Sequence, residues 1–219
     1  MNKIIIVDDH SLFREGIKLL IENEGMGEVI GEAENGKVFL ELLESLEPDL
    51  VIMDIEMPVM GGLEATIKAL KVRPGIKILA LTMLNEKSNF IEMINAGVIG
   101  FVLKTSGKNE FERAINTITK GENYFSNDVL HHIAFNSDTI EHSQNLSKTD
   151  YNRENLTARE KEVLQYLCEG YTVSEIAIKL FVSIKTIEAH RSALLRKTNT
   201  RNTINLVLYA IKNKLVTAP

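Results

Sequence analysis

Three aspartates, each placed directly after an apolar run, are the residues of this sequence whose types and spacing best suit chemistry. Asp8 and Asp9 follow the run 4–7 (Ile-Ile-Ile-Val), and Asp54 follows the run 50–53 (Leu-Val-Ile-Met). Short apolar runs that are rich in β-branched residues are typical of buried parallel strands. If the two strands are neighbours, three carboxylates converge at their carboxyl ends, where mutual repulsion requires a cation. The sequence therefore predicts a divalent metal site.

The elements that must position these aspartates alternate between strand and helix along the first half of the chain. Apolar runs alternate with segments of helical periodicity, and the five predicted strands begin at Lys3, Glu28, Leu50, Ile76 and Gly100. Each parallel crossover needs a helix, so five strand-helix units with short loops predict an α/β fold with a doubly wound parallel sheet. We expect the flavodoxin-like strand order 2-1-3-4-5, which places the first and third strands side by side.

The composition is that of an ordinary globular protein and excludes several other classes. Of the 219 residues, 44% are hydrophobic and 25% are charged. Cys168 is the only cysteine, which excludes an internal disulfide and favours a reducing compartment. The N-terminal apolar run is too short for a signal peptide, and no apolar stretch approaches the roughly 20 residues of a membrane helix. We therefore expect a cytoplasmic protein without a membrane partner.

The net charge of −5 is unevenly distributed along the chain. Residues 1–125 carry 13 basic and 20 acidic side chains, whereas residues 156–219 carry 10 basic and 5 acidic ones. An acidic body followed by a basic segment favours two modules, of which the second binds a polyanion. The polar stretch between them has linker composition, with room for a short helix around Val129–Ile133. We predict three regions, at 1–122, 123–152 (linker) and 153–219.

Helix signals are dense in the basic region. Residues 157–160 (Thr-Ala-Arg-Glu) and 172–175 (Thr-Val-Ser-Glu) are both capping boxes, in which the two end side chains satisfy first-turn amides. Ser183 suits the N-cap of a third helix, and a fourth apolar pattern covers residues 204–211. A short helix, a tight turn and a further helix in a basic domain indicate an all-α, four-helix domain of the helix-turn-helix type.

These motifs carry a family resemblance over nearly the whole chain. The first part resembles a two-component receiver domain in five positions at strand ends, namely Asp8-Asp9, Asp54 with Met57-Pro58, Thr82 and Lys104. Residues 156–215 resemble the LuxR-type helix-turn-helix through residues 156–160 (Leu-Thr-Ala-Arg-Glu), 175–177 (Glu-Ile-Ala) and 183–190 (Ser-Ile-Lys-Thr-Ile-Glu-Ala-His). Each motif alone is moderately specific, but together the motifs are very specific. With both parts, the chain resembles the NarL/FixJ class of response regulators.

The resemblance implies a phosphoacceptor site that uses Mg²⁺ as its cofactor. Asp54 is expected to be the nucleophile that accepts a phosphoryl group from a sensor histidine kinase. The expected ligands of the Mg²⁺ ion are Asp9, Asp54 and the backbone carbonyl of Glu56, with Asp8 acting partly through water.

Three further receiver residues have roles implied by the same resemblance. Lys104 is expected to pair with the phosphoryl oxygens, because its ammonium group is a compact positive charge. Thr82 is expected to donate its hydroxyl to the phosphoryl group, and Phe101 to act as an aromatic switch that turns inward. Met83 and Leu84 follow the threonine where the family often has a small residue, so we hypothesise that they exclude water and prolong the phosphorylated state.

The third helix of the basic domain is the expected recognition helix. Its packed side is predicted to consist of Ile184, Ile187, Leu194 and Leu195. The predicted phosphate contacts are Lys185, Thr186, Arg191 and Arg196, and the residues predicted to face base edges are Glu188, Ala189 and Ser192. The resemblance also implies dimerisation through the last helix, at Leu206, Val207 and Ala210, for which burial in the core is the alternative.

The leading hypothesis is a transcription factor, and not an enzyme, that phosphorylation switches towards homodimerisation and binding of double-stranded promoter DNA. A second hypothesis keeps DNA binding but makes the receiver a phosphate-independent dimerisation module. A third is an aspartyl-phosphate hydrolase with Glu56 as a general acid, a scheme in which a DNA-binding domain has no place.

Overall fold

The structure is a computed structural model that describes residues 1–83, 90–126, 128–130, 156–200, 202–213 and 215–216. The chain divides into two compact units, Met1–Ser126 and Asn127–Pro219, each of which is described by itself. None of the helices in the described ranges is both long and apolar enough to span a membrane.

The first unit is built on a parallel sheet with the strand order β2-β1-β3-β4-β5-β6. Its strands are β1 Lys3–Val7, β2 Glu28–Ala33, β3 Leu50–Asp54, β4 Lys77–Thr82, β5 Gly100–Leu103 and β6 Tyr124–Phe125. Every neighbouring pair is parallel. The predicted doubly wound fold and the order of its five strands are confirmed, and the two-residue strand β6 extends the sheet beyond them.

In the described part of the first unit, five helices connect the strands. They are α1 Ser11–Asn23, α2 Gly36–Leu42, α3 Gly62–Val72, α4 Phe90–Ala96 and α5 Lys108–Thr119. Because helices cover both faces of a doubly wound sheet, its central strands are apolar without alternation. All five residues of β3 are buried, as are the last four of β1. The side chains of these two strands therefore form the centre of the core.

The pairing of β1 with β3 determines where the aspartates lie. Val7 pairs with Met53, so Asp8 and Asp54 follow at the same level on adjacent strands. The order of the sheet has its switch point here, since the chain leaves β1 towards β2 on one side and β3 lies on the other. A crevice at the carboxyl ends of the strands is expected at such a switch point.

Strand β6 lies within residues 123–152, the range assigned to the linker from sequence. The amide of Tyr124 donates to the carbonyl of Ile99 and that of Ser126 to the carbonyl of Phe101, both at 3.1 Å. Residues 128–130 are helical, where a short helix around Val129–Ile133 was expected. Residues 127 and 131–152 lie outside the described residues.

From residue 156 onwards, the described part of the second unit contains four helices in the order that the sequence predicts. They are α6 Ala158–Cys168, α7 Val173–Lys179, α8 Ile184–Thr198 and α9 Thr203–Lys212. Both predicted capping boxes are present, since Glu160 and Glu175 each close a box with the preceding threonine. Ser183 caps α8 by accepting a hydrogen bond from the amide of Thr186, as predicted.

Candidate functional site

The three aspartates predicted to converge do so. One ligand atom from each of Asp8, Asp9, Asp54 and His10 lies within 4.8 Å of the others. Asp8 and Asp54 are buried, and the Asp9 side chain is 29% exposed. Carboxylates this close to one another repel strongly in a buried site, so the cluster requires positive charge.

Lys104, at the end of β5, supplies one positive charge to the cluster. Its Nζ lies 2.7 Å from Oδ2 of Asp54 and 2.9 Å from Oδ2 of Asp8, and its side chain is 8% exposed. Burial by itself would lower the pKa of Lys104, but hydrogen bonds from its ammonium to Asp54 and Asp8, with their charges, outweigh burial and raise the pKa. The ammonium therefore stays protonated at neutral pH and connects the carboxylates of two strands.

Thr82 ends β4 beside this lysine. The backbone amide of Lys104 donates to the carbonyl of Thr82 at 2.8 Å, which holds the ends of β4 and β5 together. The Thr82 side chain is buried, and its hydroxyl donates to the carbonyl of Met83 at 3.3 Å. Met83 is 40% exposed, whereas Leu84 lies outside the described residues.

Phe101 is fully buried on β5 between two other aromatic rings. Its centroid lies 5.5 Å from that of Phe90, at the start of α4, and 5.9 Å from that of Phe125, on β6. The Phe101 and Phe125 planes are 26° apart, which is a stacked arrangement. Phe101 therefore already occupies an inward position and connects the beginning of α4 with the last strand of the sheet.

Three residues near the aspartates were not predicted from sequence. The Nδ1 atom of His10 lies 2.9 Å from Asp9 and 3.3 Å from Asp8, and the ring of Phe13 lies 5.2 Å from the Lys104 ammonium. A Cβ atom on Gly62 would collide with the backbone oxygen of Asp54. The position of His10 directly after two acids was a usable signal, but nothing local marks Phe13 or Gly62.

The donor set fits a hard divalent cation. Three carboxylates offer oxygen ligands within a few ångströms, and Mg²⁺ prefers such oxygens, whereas His10 offers a nitrogen that suits Mg²⁺ poorly. Glu56 lies two residues beyond Asp54 with an exposed side chain. That its backbone carbonyl binds the ion remains a prediction.

Helix α8, the predicted recognition helix, exposes most of its predicted contact residues. Those that are exposed are Lys185, Glu188, Ala189, Ser192 and Arg196, and those that are half-buried are Thr186 and Arg191. On the packed side, Ile187 and Leu194 are buried as predicted and Leu195 is half-buried. The expectation for Ile184 is wrong, because this side chain is 50% exposed.

The predicted dimerisation residues need a correction. Leu206, Val207 and Ala210 on α9 are at most 2% exposed within a single chain. A side chain that is already covered inside its own domain has no area left to bury against a second copy. The same helix leaves Leu208 and Ile211 half-buried, so these apolar side chains remain accessible to a partner.

A partly buried ion pair joins α6 to α8. The Nζ atom of Lys197 lies 2.7 Å from Oε2 of Glu160, which also accepts the Thr157 amide at 2.7 Å. Burial alone would raise the pKa of Glu160, but the hydrogen bonds from Lys197 and Thr157 outweigh it and lower the pKa. At the other end of α6, burial raises the pKa of the Cys168 thiol to about 12, so this thiol stays protonated.

Comparison with known families agrees with both units. Residues 4–116 match the response regulator receiver domain, and residues 154–210 match the bacterial regulatory proteins of the luxR family. The chain belongs to the response regulators of the NarL/FixJ class, which are DNA-binding proteins with a receiver domain and a LuxR-type helix-turn-helix.

Two relatives match almost the whole chain. The transcriptional regulatory protein DegU of Brevibacillus brevis is 33% identical over 220 residues, which cover 96% of this chain and 93% of DegU. The response regulator protein VraR of Staphylococcus aureus is 33% identical over 214 residues, which cover 98% of both chains.

Solved structures of the RcsB response regulator are also similar. RcsB of Salmonella typhimurium has a TM-score of 0.57 and 27% identity, covering 95% of this chain and 97% of that one. An RcsB–DNA complex and a structure of two RcsB dimers bound to two parallel DNAs each have a TM-score of 0.55 and 28% identity, with 95% and 96% coverage.

Proposed function

We propose that this protein is a transcription factor that a sensor histidine kinase activates by phosphorylating Asp54. The observation that supports this most directly is the Lys104 ammonium between the buried carboxylates of Asp54 and Asp8. It lies where a phosphoryl group on Asp54 would bring new negative charge. The lysine that neutralises these two carboxylates is therefore placed to pair with phosphoryl oxygens as well.

The reaction moves one phosphoryl group between two side chains. A carboxylate oxygen of Asp54 forms a bond to phosphorus as the bond from phosphorus to the kinase imidazole nitrogen breaks. Lys104 exchanges its contact with the Asp54 carboxylate for one with the phosphoryl oxygens. The hydroxyl of Thr82 turns from the Met83 carbonyl and donates to another phosphoryl oxygen.

Mg²⁺ is the proposed cofactor of this transfer. Asp8, Asp9, Asp54 and the Glu56 carbonyl would hold it, and when bound it supplies neutralising charge at the phosphoryl oxygens. The residues of this chain orient the reaction, because β1 and β3 place Asp8 and Asp54 on adjacent strands. Gly62 gives the Asp54 backbone the space that a larger residue would occupy.

The proposed second partner is double-stranded promoter DNA. Lys185, Thr186, Arg191 and Arg196 would contact phosphates, and Glu188, Ala189 and Ser192 would face base edges in the major groove. The exposure of α8 supports this arrangement, and so does the RcsB–DNA complex. Phosphate contacts make such binding dependent on salt, because condensed counterions are released.

The active form is proposed to be a homodimer. RcsB binds DNA as dimers, and two recognition helices in one dimer would match two half-sites of an operator. For this chain we assign the contact to the partly exposed apolar side chains of α9, Leu208 and Ile211. Burial of apolar side chains against a second copy would supply much of the stabilisation.

Phosphorylation and DNA binding are tested together with beryllofluoride, which forms a stable phosphoryl mimic on an aspartate. Wild-type protein and the Asp54→Ala variant are each treated, and their affinities for promoter DNA are measured at one fixed salt concentration. We expect beryllofluoride to tighten binding by wild-type protein only. Equal affinity of the two treated proteins would contradict the switch and favour a phosphate-independent dimerisation module.

A further inference from the structure

Three large apolar side chains are exposed within seven residues around the turn of the helix-turn-helix. Ile178 near the end of α7 is 75% exposed, Phe181 in the turn is 94% exposed, and Ile184 at the start of α8 is 50% exposed. Single exposed apolar residues are common on protein surfaces and need no explanation. Phe181 and Ile184, however, each have a second property that points to a ligand.

The backbone at Phe181 has a conformation that normally selects glycine. The Val182 amide donates to the Ala177 carbonyl at 3.0 Å and the Phe181 amide donates to the Ile178 carbonyl at 3.3 Å, which together form a Schellman motif. Phe181 occupies its left-handed position with a φ of 52°. A side chain with a Cβ is strained there, and a ring that is 94% exposed gains little from packing in return. The stability of the domain therefore does not explain a phenylalanine at this position.

Ile184 lies on the stripe of α8 that is proposed to face DNA. Residues four apart share one face of a helix, so Ile184, Glu188 and Ser192 form a single row. All three are exposed, and the last two are proposed base contacts. The first turn of a recognition helix is the part that contacts base edges. The position of Ile184 therefore combines an apolar surface with access to the floor of the groove.

We propose that Phe181 and Ile184 contact the 5-methyl groups of thymines in the major groove, an inference that rests on the DNA binding proposed above. Among the four bases, only thymine presents an apolar group in that groove. The two side chains select for thymine at the operator positions that lie beside the turn and the first turn of α8. The neighbouring polar residues, Glu188 and Ser192, select for other bases.

The test begins with operator sequences that the beryllofluoride-treated wild-type chain selects from a random pool of double-stranded DNA. Each thymine in the selected duplex is then replaced by deoxyuridine, which removes only the methyl group. We expect at least one such replacement to weaken wild-type binding about fourfold, the effect of one buried methyl-sized group. The Ile184→Ala or Phe181→Gly variant should bind the normal duplex more weakly and be insensitive to that same replacement.

The variants also separate this contact from a change in folding. Phe181→Gly removes the strain in the turn, so its thermal midpoint should be no lower than that of wild type while its DNA affinity falls. The Val72→Ala variant truncates a side chain that is 71% exposed on the receiver and should leave DNA affinity unchanged. The thymine contact alone is overturned if no deoxyuridine replacement weakens wild-type binding, or if the variants lose as much affinity as wild type on the same replacement. A wild-type chain that enriches no sequence overturns the proposed function as well.

Discussion

Replacement of Lys104 by methionine should destabilise the receiver and increase its response to Mg²⁺. The ammonium lies 2.7 Å and 2.9 Å from carboxylate oxygens of Asp54 and Asp8. At an effective dielectric constant of about 20, each such pair attracts by about 6 kcal/mol before the cost of desolvation is counted. Removal of one partner from a buried pair leaves uncompensated charge and typically costs about 3–5 kcal/mol. We expect a loss of that size in the free energy of unfolding.

The loss can be measured in the full chain by native-state hydrogen exchange at amides of β1 and β3, which reports the free energy of opening of this domain. The pKa of Lys104 is raised above its ordinary value of 10.5 in the folded protein. Its stabilising effect is therefore complete below about 10.5 and is lost as the pH rises through the folded pKa. The difference between Lys104→Met and wild type should accordingly persist at neutral pH and narrow under strongly alkaline conditions.

Mg²⁺ provides the decisive comparison. In the Lys104→Met variant a divalent cation takes over the neutralisation of Asp8 and Asp54, so saturating Mg²⁺ should stabilise the variant more than wild type. The control is Lys68→Met, which breaks an exposed pair with Glu64 on α3 worth about 0.3–0.5 kcal/mol. The electrostatic account is refuted if Lys104→Met costs no more than the control, or if Mg²⁺ stabilises both proteins equally.

Two further variants test single contacts. Gly62→Ala should slow phosphorylation of Asp54 by a phosphodonor and lower the receiver's free energy of unfolding by about 1–3 kcal/mol, because the new methyl group overlaps the Asp54 carbonyl. The control is Gly75→Ala, which has open space around its Cβ position and should change neither the rate of phosphorylation nor the free energy of unfolding. Glu160→Gln should lower the free energy of unfolding of the second domain by about 1–3 kcal/mol at pH 7, measured by hydrogen exchange at amides of α6. Because the folded pKa of Glu160 is lowered, its contribution is present above the ordinary value of 4.5 and lost as the pH falls through the folded pKa. If the Glu160→Gln variant is destabilised as much at pH 3 as at pH 7, the charge of Glu160 is not the cause.

The receiver's central strands could be predicted from sequence because their residues are apolar without interruption. A run such as Leu50–Asp54 is buried on both faces, so its apolar character is continuous and its end is marked by the acid. The helix starts of the second domain were equally predictable, since a capping box places a threonine and a glutamate three residues apart. In both cases a few consecutive residues determine the local structure, and contacts with distant residues do not change it.

The predictions that failed depend on contacts that are distant in sequence. Strand β6 has only two residues, too few to show a period, and it exists because β5 offers it a free edge. On α8 and α9 the helical period gives apolar faces, but it does not say which apolar residue is covered. Ile184 is therefore exposed against expectation, and Leu206 is buried in the core, which was the alternative to a place in the dimer contact.

The row of rings formed by Phe90, Phe101 and Phe125 links the last strand of the sheet to the position of the Phe101 side chain. Phe101 is held on two sides, and an aromatic pair contributes about 0.5–1.5 kcal/mol beyond its buried area. Strand β6 is held by this stacking, by backbone hydrogen bonds to the carbonyls of Ile99 and Phe101, and by Tyr124, which is buried in the core with residues of α5. Because β6 has only two residues and lies at the edge of the sheet, we expect it to open before the central strands do. The rate at which the Ser126 amide exchanges with solvent thus measures how often the end of the receiver detaches. Because Phe101 stacks on Phe125, we expect a rearrangement of the Phe101 ring to change how often this end opens.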